Sequence, residues 1–238
     1  MLPLQLDLGS FFIFHTARRQ AEYGEYGEED SMFNLFDPDM LFRIPALLIA
    51  LTVHEYAHAK VAVAFGDPTP RLMGRLTLNP IAHLDPIGLI MLWVFKFGWA
   101  KPVPVNPYYF RSVRHGMLWV SLAGPASNIL TAFVCAAILA LFTKLHFFGL
   151  VWNKILWMTY TYNLVFAIFN LVPLPPLDGS KVLSSLLPGR QAGLFDRIEP
   201  YGPFILMGLV YVGVIAAVTS PIEMGLHRLI MAVVSLII

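Results

Sequence analysis

Residues 49–66 read IALTVHEYAHAKVAVAFG. The run is aliphatic and small-residue-rich at both ends, as a bilayer helix requires, yet it holds His54, Glu55 and His58 near its middle. Ionisable groups at a helix centre in lipid cost about 2.5–3.5 kcal/mol each, so idle ones are rare there and the cluster reads as functional. The rest of the chain supports a membrane setting: 57% of residues are hydrophobic and only 13% charged, against roughly a quarter charged in soluble domains. Mean hydropathy is +0.67.

On a helix, His54 and His58 stand one turn apart at i and i+4, so both rings project from one face. That spacing lets two imidazoles hold one Zn²⁺, with Glu55 beside them as a general base. Zinc lowers the pKa of water it binds towards ~7, and a carboxylate can then take its proton at neutral pH. Two ligands and a water leave tetrahedral zinc one protein ligand short. Asp178, in FNLVPLPPLDGSKVL, is the leading candidate, because Pro173, Pro175 and Pro176 break the helix before it and Gly179 permits a turn. Its alternative reading is a helix N-cap, and Glu199 or Glu223 could then supply the third ligand.

Working outward, residues 41–65, 117–142, 155–171 and 203–219 are long and apolar enough to span a bilayer, which takes ~20 helical residues. Residues 87–100 and 226–238 are too short for a plain crossing and read as re-entrant, interfacial or tilted pieces. Between the first two spans, turn residues bracket RLMGRLTL (71–78), which predicts a small membrane-associated β-hairpin or strand. WAKPVPVNP (99–107) reads as extended, since each X-Pro step disfavours helix in the residue before it. GPASN (124–128) places small residues where helices approach closely. Residues 1–39 form an acidic tail in which FFIF is too short for a signal-peptide core.

Arg71, Arg75, Lys96, Lys101, Arg111 and Arg114 flank the Pro-rich loop, and Lys181, Arg190 and Arg197 follow the third span. The opposite loop has only Lys144 and Lys154, which puts the Pro-rich loop and the segment after Asp178 in the cytoplasm. The His pair and Asp178 then meet only if the first and third spans run the same way. That requires 117–142 to be the one crossing between them, with 87–100 not traversing. A net charge of +1 gives no case for a nucleic-acid partner. The single Cys135 excludes an intrachain disulfide and a thiolate metal cluster.

HEYAH in the first span, with NLVPLPPLDG closing the third, resembles the site-2 protease family of intramembrane zinc metalloproteases. GDPTPRLMGRLTLNPIAHLDPIG followed by WAKPVPVNP is similar to its compact bacterial branch without PDZ or CBS domains. The resemblance implies an all-α polytopic protein with a three-helix catalytic core at 40–187, further membrane helices at 188–238, and a bacterial inner-membrane location. It implies one Zn²⁺ held by His54, His58 and Asp178, with Glu55 as base and Asn170 steadying substrate or oxyanion. The expected partners are the lipid bilayer and a transmembrane protein substrate, which must unwind and would pair along RLMGRLTL as an added strand; nothing in the sequence sets an oligomeric state. His83 reads as a loop histidine held by hydrogen bonds, with metal gating as the lesser reading, and His115 and His227 read as interfacial. A metal transporter would be the main alternative, but no inverted repeat is visible, and an inactive membrane chaperone would have no need of intact ligands and base.

Overall fold

A computed structural model describes residues 40–88, 100–147 and 149–238. The 1–39 tail and most of 87–100 lie outside the described residues.

The aliphatic run around the His pair forms α1 (Met40–Ala64). Gly66 ends it in the left-handed region at φ 104°. Its amide donates to Val63 O, and the Asp67 amide donates to Ala62 O, the paired bonds of a Schellman stop. Asp67, fully buried, then accepts from the Thr69 amide and, at 2.7 Å, from the Asn106 amide. One carboxylate therefore ties the end of α1 to the Pro-rich loop.

The RLMGRLTL stretch does not form the expected hairpin. Pro68 and Pro70 preset a helical turn, α2 (Thr69–Leu72), which closes at Gly74 with φ 67°. The Arg75 amide folds back onto Pro70 O, so residues 69–75 spiral instead of extending. Among the described residues, β pairing is limited to an isolated antiparallel bridge between Leu84 and Ala100. That bridge sets Leu84 and Ala100 side by side.

Further along the chain come α3 (Val113–Lys144), α4 (Leu150–Asn170), α5 (Asp178–Leu186), α6 (Gly189–Ile198), α7 (Gly202–Tyr211) and α8 (Val214–Ile237). Helices α1, α3 and α4 pack against one another as the three-helix core. Fully buried alanines line their seams, Ala46, Ala50, Ala59 and Ala62 on α1, Ala132 on α3 and Ala167 on α4; small side chains let backbones approach closely where lipid gives no hydrophobic drive to associate. The ring of Phe65, past the end of α1, meets Phe110 and His115 at the start of α3, so α3 runs back against α1.

Among the described residues, three helical stretches are long and apolar enough to cross a membrane: Leu41–Ala64, Val113–Lys144 and Val214–Ile237. Helix α4, which holds most of the expected 155–171 span, is not among these three, although its 21 residues reach about 31 Å at 1.5 Å per residue. Its Thr159, Tyr160 and Asn163 are buried in the bundle. The expected 203–219 span is not one helix. Gly213 at φ 82° breaks it into α7 and the start of α8, and 226–238 is the second half of α8, not a separate short piece. Ile230 and Val234 of α8 close the far side of the core against Ala132, Ala136, Tyr160 and Leu164. His227 is not interfacial either: it sits within α8 and bonds the Tyr160 hydroxyl at 2.6 Å.

Candidate metal centre

Helix α1 delivers the two imidazoles as its 3.6-residue period requires, both buried and 3.0 Å apart at Nε2. Helix α3 packs against them so closely that Gly124 is obligatory. A Cβ there would lie 2.5 Å from His54 Cε1 and 2.5 Å from His58 Nε2. The Gly124→Ala variant is therefore expected to push the rings apart, at a cost of about 1–3 kcal/mol in stability and with weaker zinc retention. A chelator competition beside a thermal melt measures both.

Asp178 arrives from the other side. After α4 the Pro-rich turn reverses the chain, and Ser180 closes it by donating its backbone and hydroxyl to Leu177 O. A Cβ on Gly179 would lie 2.3 Å from Leu171 O, so only glycine lets the start of α5 fold onto the end of α4. The result sets Asp178 Oδ2 3.1 Å from His54 Nε2 and 3.1 Å from His58 Nε2.

These three atoms make a nearly equilateral triangle with 3.0–3.1 Å edges. A tetrahedral site with ligands at about 2.0–2.1 Å has edges of roughly 3.4 Å, so three of its corners are already close to place. Asp178 Oδ2 is buried without a hydrogen bond, an orphan acceptor that a cation would satisfy. His58 Nδ1 meets Val120 O at 2.7 Å, and a carbonyl can only accept, so the proton sits on Nδ1 and Nε2 keeps its lone pair. The donor set suits a divalent cation.

Glu55 is placed apart from this triangle. Its Oε2 accepts from the Val103 amide at 3.0 Å, anchoring the Pro-rich loop above the site. Arg75, also buried, donates to Lys101 O in the same loop. Burial lowers the pKa of its guanidinium, and the charge of Glu55 opposes that shift. A cavity of about 370 Å³ is walled by the His pair, Glu55, Asp178, Pro102, Val103, Val105 and Asn170. Asn170 does stand at this cavity, with its amide nitrogen donating to Phe166 O one turn back in α4.

Among the described residues, the candidate metal-ligand group is His54, His58 and Asp178. Glu223 lies buried on α8 and Glu199 in the turn before α7, both outside it. His83 is buried with Nε2 held by Thr77 O at 2.8 Å, the hydrogen-bonded loop role. One residue that sequence reasoning missed is Asn128, whose Oδ1 accepts from His54 Nδ1 at 2.6 Å. It was legible only as the polar member of GPASN; an amide with no exposure inside a 32-residue apolar helix is the signal.

The family model for "Peptidase family M50" matches residues 143–212. The chain is 40% identical over 185 residues to "Putative zinc metalloprotease YwhC" of Bacillus subtilis, covering 73% of this chain and 81% of that protein. It is 32% identical over 171 residues to "Putative zinc metalloprotease Rip2" of Mycobacterium tuberculosis, covering 65% of this chain and 64% of the relative. "Putative zinc metalloprotease MJ0611" of Methanocaldococcus jannaschii matches at 33% over 102 residues, 41% of this chain and 49% of the relative. No solved structure matches. Identity at this level across four-fifths of a relative's length, joined to the triangle of His54, His58 and Asp178, makes the chain a member of peptidase family M50.

Proposed function

We infer that this chain is an intramembrane zinc metallopeptidase that hydrolyses a peptide bond in or near the transmembrane segment of a membrane-protein substrate. The observation that carries this reading is the three-cornered donor set with an orphaned carboxylate oxygen, beside a carboxylate that is not part of it. Family membership and the relatives' names support it. When bound, zinc supplies a Lewis acid for the scissile carbonyl and acidifies water to a pKa of about 7. His54, His58 and Asp178 would hold it. Glu55 takes the proton from the attacking water and passes it to the leaving amine. Asn170, at the cavity wall, is assigned to the substrate backbone or the oxyanion.

Residues 101–106 take the place of RLMGRLTL as the surface offered to an unwound substrate. They run without helix past the cavity and contribute Pro102, Val103 and Val105 to its wall. The chemistry is assigned to residues 40–187, with 188–238 as added membrane helices and 1–39 as a tail. Arg71, Arg75, Lys101 and Arg111 lie between α1 and α3, at the His-pair end of α1, and Arg114 in the first turn of α3, which supports a site nearer the cytoplasmic face. A bacterial inner membrane is the matching location. Neither a transporter nor an inactive chaperone explains a carboxylate set beside the donor triangle but outside it.

The test is reconstitution of the full chain in lipid vesicles with single-span substrates. Cleavage that stops with a zinc chelator and returns with added zinc is expected; cleavage indifferent to the chelator would contradict the reading.

A further inference from the structure

We propose that Asn163, acting through Asn128, is a positioning residue that locks His54 in the tautomer able to bind the metal. The inference rests on the metal site described above and deepens it. The argument is one of donors and acceptors. Asn163 Nδ2 meets Thr159 O at 2.7 Å, and a backbone carbonyl can only accept. The amide is therefore oriented with Oδ1 towards Asn128, whose Nδ2 donates to it at 2.7 Å. The same Nδ2 donates its second hydrogen to Ala50 O at 3.0 Å, which fixes the Asn128 amide independently. Asn128 Oδ1 is left as an acceptor, and His54 Nδ1, at 2.6 Å, must supply the proton. Its Nε2 then carries the lone pair that faces Asp178 and His58.

Both asparagines are fully buried. The relay has no slack, because Thr159 O on α4 and Ala50 O on α1 pin its orientation from two helices. Thr159 and Ala50 are themselves core positions with little or no exposure. A rotated amide at either asparagine would set N–H against N–H, or oxygen against oxygen, in a place without room for water, and an unmet buried polar group is costly. His54 is thus held by a chain of four groups crossing all three core helices, whereas His58 depends on a single carbonyl, Val120 O. This separates the two ligands. Disturbing Asn163 changes His54 and leaves His58 alone.

The experiment uses the full chain in detergent with ¹⁵N-labelled histidine, read in the zinc-free state, together with zinc titration against a competing chelator. In the unaltered chain His54 and His58 are both expected to carry a proton on Nδ1. In Asn163→Ala, His54 is expected to become a tautomer mixture with His58 unchanged, and zinc affinity to fall about tenfold, the low end of outer-shell losses. Asn128→Ala is expected to lose nearer a hundredfold. If Asn128→Ala does not fold, the unaltered chain and Asn163→Ala still decide. A lower melting temperature in Asn163→Ala, with unchanged His54 signals and zinc affinity, would make the pair helix glue and overturn the proposal. So would His54 with no proton on Nδ1 in the unaltered chain. An unaltered chain that binds no zinc would overturn the metal site itself and this inference with it.

Discussion

Asp178→Ala is expected to purify without zinc and to cleave nothing. The two α1 imidazoles remain in place, since the contacts of their Nδ1 atoms are to Asn128 and Val120 and do not involve α5. What is lost is the anionic corner of the triangle, 3.1 Å from each ring. Two neutral imidazoles and water make a weak zinc site, so affinity should fall by more than about a hundredfold, beyond the range for removing an outer-shell partner. Asp178→Asn refines the result. It keeps the shape of the α5 start but removes the negative charge, and should also lose most of the metal. Metal analysis of both proteins, with Glu199→Ala and Glu223→Ala as controls that keep zinc, checks the assignment.

Glu55→Gln is expected to keep its zinc and lose about 10²–10⁴ in turnover, the range for removing a positioned general base. The reason for the clean separation is geometric. The amide oxygen of glutamine can still accept from the Val103 N–H, so the Pro-rich loop keeps its anchor and the cavity its wall. The donor triangle does not include residue 55. Only the capacity to take and return a proton is gone. A metal transporter would continue to move zinc after this change. Single-turnover cleavage of a transmembrane substrate, with zinc content measured on the same sample, distinguishes the two.

The chemistry of this chain was far more legible in its sequence than its shape. His54, Glu55 and His58 stand out because charge in an apolar helix is expensive, and the want of a third donor pointed to Asp178, 120 residues beyond His58, which the fold sets against both imidazoles. Local rules worked where one residue controls the backbone, as Gly66 does in ending α1. They failed where two signals competed. RLMGRLTL looked strand-like between its turn residues, but the prolines before and inside it seeded a helical turn that Gly74 then closed. The 203–219 run was apolar throughout, and hydropathy cannot see the left-handed Gly213 that divides it. Asn128 and Asn163 were missed for another reason. An uncharged amide disturbs an apolar pattern little, and its value here comes from partners 35 to 78 residues away. Only the packing of α1, α3 and α4 brings those together.

The most direct measurement is zinc-edge X-ray absorption on the purified chain, with metal stoichiometry, for the unaltered protein and Asp178→Ala. One zinc per chain with two imidazole and additional oxygen neighbours, lost when Asp178 is replaced, is the predicted result. Zinc retained at full stoichiometry with the same first shell after Asp178→Ala would contradict it.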